Sequence, residues 1–190
     1  MSSKTLIYTF DELRPIRSSI DRCRLALIKF IEHYKSVDLL DVECRLLNRC
    51  VYKNWNARHA ELGIQSTRRT VRFSEQFLSQ RVQHLDEILE SFQPDQVIIR
   101  LPSRGTLNQL RLHLEQTNLL LKKIQAYSKL TIGHLRRECG RTNYVQYNIL
   151  IMSLCARLHY LSLSLEKSQE EFIEQIRFSI KSFKKKVNMS

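Results

Sequence analysis

Tyr144-Val-Gln-Tyr-Asn-Ile-Leu-Ile-Met-Ser-Leu-Cys-Ala-Arg-Leu-His-Tyr-Leu-Ser-Leu-Ser-Leu165 contains neither Gly nor Pro. At helical spacing one face carries Tyr144, Tyr147, Ile151, Leu154, Leu158, Leu161 and Leu165, and a second carries Val145, Ile149, Met152, Ala156, His159 and Leu163. A helix that is apolar on two faces is expected to be buried. The charge-free run Thr142–Ala156 is followed at once by Arg157 and His159, short of the roughly 20 apolar residues of a membrane span. The 3.6-residue period runs too long for a strand. The stretch therefore predicts the central helix of a helical domain.

The rest of the chain agrees. Its 190 residues can bury a substantial core, 43% hydrophobic content excludes wholesale disorder, and 4 Gly and 3 Pro leave little punctuation for many short strands. The fold class expected is all-α, a bundle of about five long helices.

Ahead of the central helix, Met1–Phe10 reads as an extended or mobile tail. A first helix is expected over 11–36, capped by Asp11, with Ile16, Ile20, Cys23, Leu27, Phe30 and Tyr34 inward. A second over 38–62 carries the apolar stripe Leu40, Cys44, Leu47, Val51 and Trp55, and Gly63 is expected to end or kink it. A third over 66–92 turns Val71, Leu78, Leu85, Ile88, Leu89 and Phe92 inward. Residues 93–105 read as an ordered linker with Val97–Leu101 extended. A fourth helix over 106–135 repeats Leu107, Leu110, Leu114, Thr117, Leu121, Ile124, Ser128, Thr131 and Leu135 at steps of three and four, a helix-pair seam whose small polar members predict close approach to a neighbour. The central helix closes the order over 142–183, narrowing to Phe172, Ile173, Ile176, Ile180 and Phe183, with a basic tail over 184–190. Residues 11–183 are expected to form one domain.

Charge points to partners. Lys and Arg number 31 against 19 Asp and Glu, a net +12 with pI near 9.7, which predicts a polyanionic partner. The excess is clustered: seven basic residues fall in Arg45–Arg72, six in Lys122–Arg141 and five in Arg177–Lys186. Arg45, Arg49 and Lys53 lie along one face of the second helix, and Arg68, Arg69 and Arg72 point outward from the third. The last cluster fits equally a solvated helix end, a basic address or an RNA contact. Cys23, Cys44, Cys50, Cys139 and Cys155 form no Cys-x-x-Cys pair, which argues for free thiols in a reducing compartment. Met1–Phe10 has no apolar segment of the secretory kind.

Catalytic chemistry has no foothold in the pattern. The six histidines are not set at metal-ligand spacing, and no Gly-rich phosphate loop, nucleophile elbow or carboxylate cluster occurs. Neither a cofactor, a metal nor a small-molecule substrate is expected, and no membrane partner. Arg157 and His159 in the central helix call for a buried hydrogen-bond network or a partner contact.

The block Glu43-Cys44-Arg45-Leu46-Leu47-Asn48-Arg49-Cys50-Val51-Tyr52-Lys53-Asn54-Trp55-Asn56-Ala57-Arg58-His59 resembles the opening helix of the family of the nucleolus and neural progenitor protein and the fungal RNase MRP-specific protein subunit. It departs from that pattern in placing Trp55 and Ala57 among the polar residues. His134-Leu135, Tyr144–Leu150 and Cys155-Ala156-Arg157-Leu158-His159-Tyr160 resemble the family's later helix. Together the blocks cover about half the chain. The resemblance implies a non-catalytic, nucleolar protein subunit of the RNase MRP ribonucleoprotein, which acts in ribosomal RNA processing; its partners would be the RNase MRP RNA and other protein subunits of the particle. On the residues' own chemistry, the phosphate contacts are expected from Arg45, Arg49, Lys53, Arg58, Arg68, Arg69, Arg72, Arg136, Arg137 and Arg141. Tyr52, Trp55 and His59 are candidates for stacking on an unpaired base, although Trp55 also lies on the apolar stripe of its helix. The rival expectation is a helical adaptor whose apolar grooves bind other proteins, with the Leu107–Leu135 seam and the one-sided Phe172–Phe183 helix as the partner surfaces and its charge serving only localisation.

Overall fold

A computed structural model describes residues 5–9, 17–82, 85–90, 98–140 and 144–187. Asp11, Ile16, Phe92 and Arg141 lie outside them, and so does the side chain of Phe183. The described elements follow in the order β1 (Thr5–Thr9), α1 (Arg17–Tyr34), α2 (Ser36–Arg58), α3 (Leu62–Ser79), α4 (Leu85–Glu90), β2 (Ile98–Pro102), α5 (Arg104–Glu138) and α6 (Val145–Val187). The architecture is an all-α helical bundle with one short ribbon. β1 and β2 pair antiparallel, Thr5 opposite Pro102 and Thr9 opposite Ile98. Of the expected extended segment Val97–Leu101, Ile98–Leu101 lie in β2 and Val97 lies outside the described residues, and Pro102 ends the strand where a missing N–H does least harm.

The chain forms two compact units, where the sequence predicts one domain over 11–183. One takes the described residues up to Tyr34, Val82–Gln116, and those from Ser168 onward. Its core gathers Ile20, Cys23, Leu27 and Phe30 of α1, Leu85 of α4, Leu107, Leu110 and Leu114 of α5, and Phe172, Ile173 and Ile176 of α6. Phe30 stacks on Phe172 at 4.9 Å. The other unit takes Lys35–Arg81 and Thr117–Lys167. Here α2, α3, the later part of α5 and the first part of α6 bury Leu40, Cys44, Leu47, Ile64, Phe77, Leu121, Ile124, Leu135, Ile151, Leu154, Leu158 and Leu165. The described part of the expected linker, residues 98–105, belongs to the first of these units.

The α5 seam is buried at all nine of its predicted positions. In the second unit Thr131 of the seam donates to Ser66 Oγ at 3.2 Å, and Ser66, Thr67, Thr70 and Ser74 turn their hydroxyls back to α3 carbonyls. Satisfied internally, these hydroxyls let two backbones approach closely.

Three expectations are corrected. Gly63 does not end a helix; it lies in the first turn of α3, where an added Cβ would sit 2.5 Å from Leu135 Cδ2. Its role is close helix approach. The expected helix 66–92 is two helices, α3 and α4. The Gln80 amide still finds Gln76 and Phe77 carbonyls, but the Val82 amide donates to the Tyr34 hydroxyl at 2.9 Å, so the helical ladder stops without Gly or Pro. Finally, α6 is not buried on two faces. Ile151, Leu154, Leu158 and Leu165 are buried, whereas Val145, Ile149 and Leu163 of the second face are exposed. By length and composition alone, Val145–Lys181 is long and apolar enough to cross a membrane.

Candidate nucleic-acid interface

The local pattern of α3 dictates its outer face. Gly63, Ser66, Thr67, Thr70 and Ser74 are buried, and residues opposite them on a 100° wheel include Arg68, Arg69 and Arg72. All three are exposed. They border a cleft of about 620 Å³ whose other wall, from α2, includes Asn48 and Trp55. The Arg68 guanidinium lies 4.4 Å from the indole centroid of Trp55, a cation–π contact of about 0.5–1 kcal/mol at such a site. The His59 ring lies 6.0 Å from that of Trp55, centroid to centroid, tilted at 45°. Trp55 is half-buried, so it is a cleft wall and not a core anchor. At the far end, Asn48 Nδ2 donates to Glu75 Oε1 at 3.0 Å.

The arginine face continues toward α5. Arg69 lies 5.6 Å from the Tyr127 ring, Tyr127 stacks on Phe73 at 5.3 Å, and Lys123 lies 5.2 Å from Phe73. Cations and aromatic rings therefore alternate across α2, α3 and α5. Such a surface offers positive charge to a phosphate backbone and flat apolar faces to unstacked bases.

The other expected contact residues divide. Arg49 and Lys53 are exposed on the outer face of α2, and Tyr52 is 84% exposed beside them. Arg45 is exposed too, but it makes a two-point bond to Asp41, with distances of 3.0 and 2.6 Å; that partner holds its pKa above the ordinary value. Arg136 and Arg137 are exposed near the end of α5. Arg141 is not among the described residues. Arg58 is the clear correction: it is 1% exposed, bonded to Glu61 at 2.7 Å, 3.7 Å from Glu138, and covered by the rings of Tyr144 and Tyr147 at 4.8 and 5.2 Å. It holds the interior together and does not face a ligand. Burial, aided by the Glu61 charge, raises the pKa of Glu138.

Sequence analysis missed Asn48, Glu75, Phe73, Lys123 and Tyr127 as members of this surface. Asn48, Lys123 and Tyr127 lie within the basic stretches 45–72 and 122–141 but Glu75 and Phe73 outside them, and Phe73 and Tyr127 meet only because α3 and α5 cross. The Arg157 and His159 pair of α6 resolves into separate roles. Arg157 bridges to Glu43 at 3.2 Å. His159 is half-buried, and burial together with the charge of Lys129 lowers its pKa. Burial pushes the thiols of Cys44 and Cys155 up to about 12. Among the described residues no group of three or more His, Cys, Asp or Glu side chains is placed to hold a metal ion. No protein-family model, curated protein or solved structure matches the chain.

Proposed function

We propose that this chain is a non-catalytic RNA-binding protein and, on the resemblance of its α2 and α6 blocks, a protein subunit of the nucleolar RNase MRP particle that positions the RNA for ribosomal RNA processing. The observation that carries the RNA-binding reading is the exposed Arg68, Arg69 and Arg72 face flanked on both sides by aromatic rings, Trp55 on one and Phe73 with Tyr127 on the other. Arginines bind phosphates without reading sequence, so affinity would fall steeply with salt. Stacking on the neighbouring rings would favour unpaired segments over duplex. The test is recovery of the tagged chain from cell extract, with sequencing of co-purified RNA at low and high salt. Enrichment of the RNase MRP RNA over the related RNase P RNA is the expected result.

The adaptor reading has its own supporting observation. The Leu107–Leu135 seam is buried, as are Phe172, Ile173 and Ile176, so the adaptor's partner surface would have to come instead from the exposed Leu39, Val42 and Leu46 on α2 and Ile149, Leu150, Tyr160 and Leu163 on α6, with Tyr160 at 71%. Recovery of proteins with no enriched RNA in the same experiment would select it.

A further inference from the structure

We infer that the cleft between α2 and α3 receives one unpaired nucleobase and selects guanine at that position. This rests on the RNA-binding reading above and goes beyond it, because phosphate contacts alone carry no base preference.

The inference begins with a misplaced charge. Glu75 lies in a cleft bordered by Arg68, Arg69 and Arg72, yet among the described residues its hydrogen bond is to Asn48 and not to an arginine. A carboxylate there repels phosphate, so the backbone is directed to the outer arginine face. The group entering between Trp55 and Glu75 should be neutral and rich in donors. Asn48 gives its Nδ2 to Glu75 Oε1, which leaves Glu75 Oε2 and Asn48 Oδ1 as two neighbouring acceptors. Among the four RNA bases, only guanine carries two adjacent donors on its Watson–Crick edge, N1–H and N2–H. Adenine, cytosine and uracil each present one.

Trp55 supplies the platform. Its indole is covered by the Arg68 guanidinium, a contact weaker than base–aromatic stacking. A base can therefore take the guanidinium's place, and the released Arg68 can follow the phosphate. The cleft volume of about 620 Å³ leaves room for a base and its ribose.

Trp55 is the one tryptophan in the chain, so its emission reports on this cleft directly. The full chain is titrated with labelled nine-nucleotide uridine tracts whose central position is guanosine, adenosine or abasic, following both anisotropy and tryptophan emission. The expected result is that the guanosine tract binds about tenfold tighter than the other two and quenches Trp55. Glu75→Gln, at an exposed position, should abolish the preference, so that the guanosine and adenosine tracts bind equally. Equal, salt-sensitive affinity for all three tracts without quenching would overturn the guanine site and leave phosphate binding intact. A guanosine preference that survives Glu75→Gln would also overturn it. Absence of binding to every tract would overturn the RNA-binding reading itself.

Discussion

Replacing Arg58 by Met should destabilise the protein by about 3 kcal/mol, and the loss should depend on pH. Arg58 is 1% exposed and serves two carboxylates, Glu61 at 2.7 Å and Glu138 at 3.7 Å. Methionine fills most of the vacated volume, so the cavity contribution is small and what remains is a pair of carboxylates without their cation. Breaking a buried ion pair from one side costs about 3–5 kcal/mol. The side chains of Glu61 and Glu138 are 29% and 24% exposed, so each keeps part of its hydration, which selects the lower end. For a chain of this size that corresponds to a fall of about 6–12 °C in Tm. The pH dependence follows from Glu138, whose folded pKa is already raised by burial and by the Glu61 charge, with Arg58 opposing the rise. Removing Arg58 raises it further. A carboxyl whose folded pKa exceeds its unfolded value contributes stability that is present below the unfolded pKa and lost as pH rises through the folded one. The deficit of Arg58→Met should therefore be largest at neutral pH and shrink as pH falls toward the ordinary carboxylate range. Urea unfolding followed by circular dichroism at several pH values measures both quantities. A loss below about 1 kcal/mol, in the range of an exposed ion pair, or a deficit that stays constant on acidification, would refute the assignment of Arg58 to a buried charge cluster.

Two glycines should respond in opposite directions to alanine. Gly63→Ala places a Cβ 2.5 Å from Leu135 Cδ2 and should cost about 1–3 kcal/mol by overpacking, whereas Gly133→Ala, in the interior of α5 with nothing within 4 Å, should stabilise by about 0.5–1 kcal/mol; urea midpoints decide both. Neutralising Arg68, Arg69 and Arg72 together to Gln should weaken RNA binding and reduce the slope of log affinity against log salt by about 2, with helical content unchanged. In native alkylation at pH 8, half-buried Cys139 should be modified before Cys44 and Cys155, whose thiols burial pushes up to about 12; peptide mass spectrometry gives the order, and early labelling of Cys155 would contradict its place in the core.

The sequence by itself determined the helices and much of the core. Nine positions spaced three and four from Leu107 to Leu135 are all buried, because a helix of unbroken period must turn one stripe inward whatever it packs against. Outward placement of Arg68, Arg69 and Arg72 follows from the same geometry. Tertiary structure decided what a one-dimensional period cannot express. A helix apolar on two sides could bury both, but α6 buries one, since only elements arriving from elsewhere in the chain can cover a face. Arg58 reads as one cation among many until Glu61, Glu138, Tyr144 and Tyr147 close around it. Gly63 looks like punctuation until Leu135, far along the chain, lies against it. The break after Ser79 has no breaker residue, and beyond it the Val82 amide bonds a hydroxyl on Tyr34, a partner remote in sequence. The cleft, finally, exists only because α2 lays Asn48 and Trp55 beside the arginines of α3, and distances between residues remote in sequence are set by packing, not by local preference.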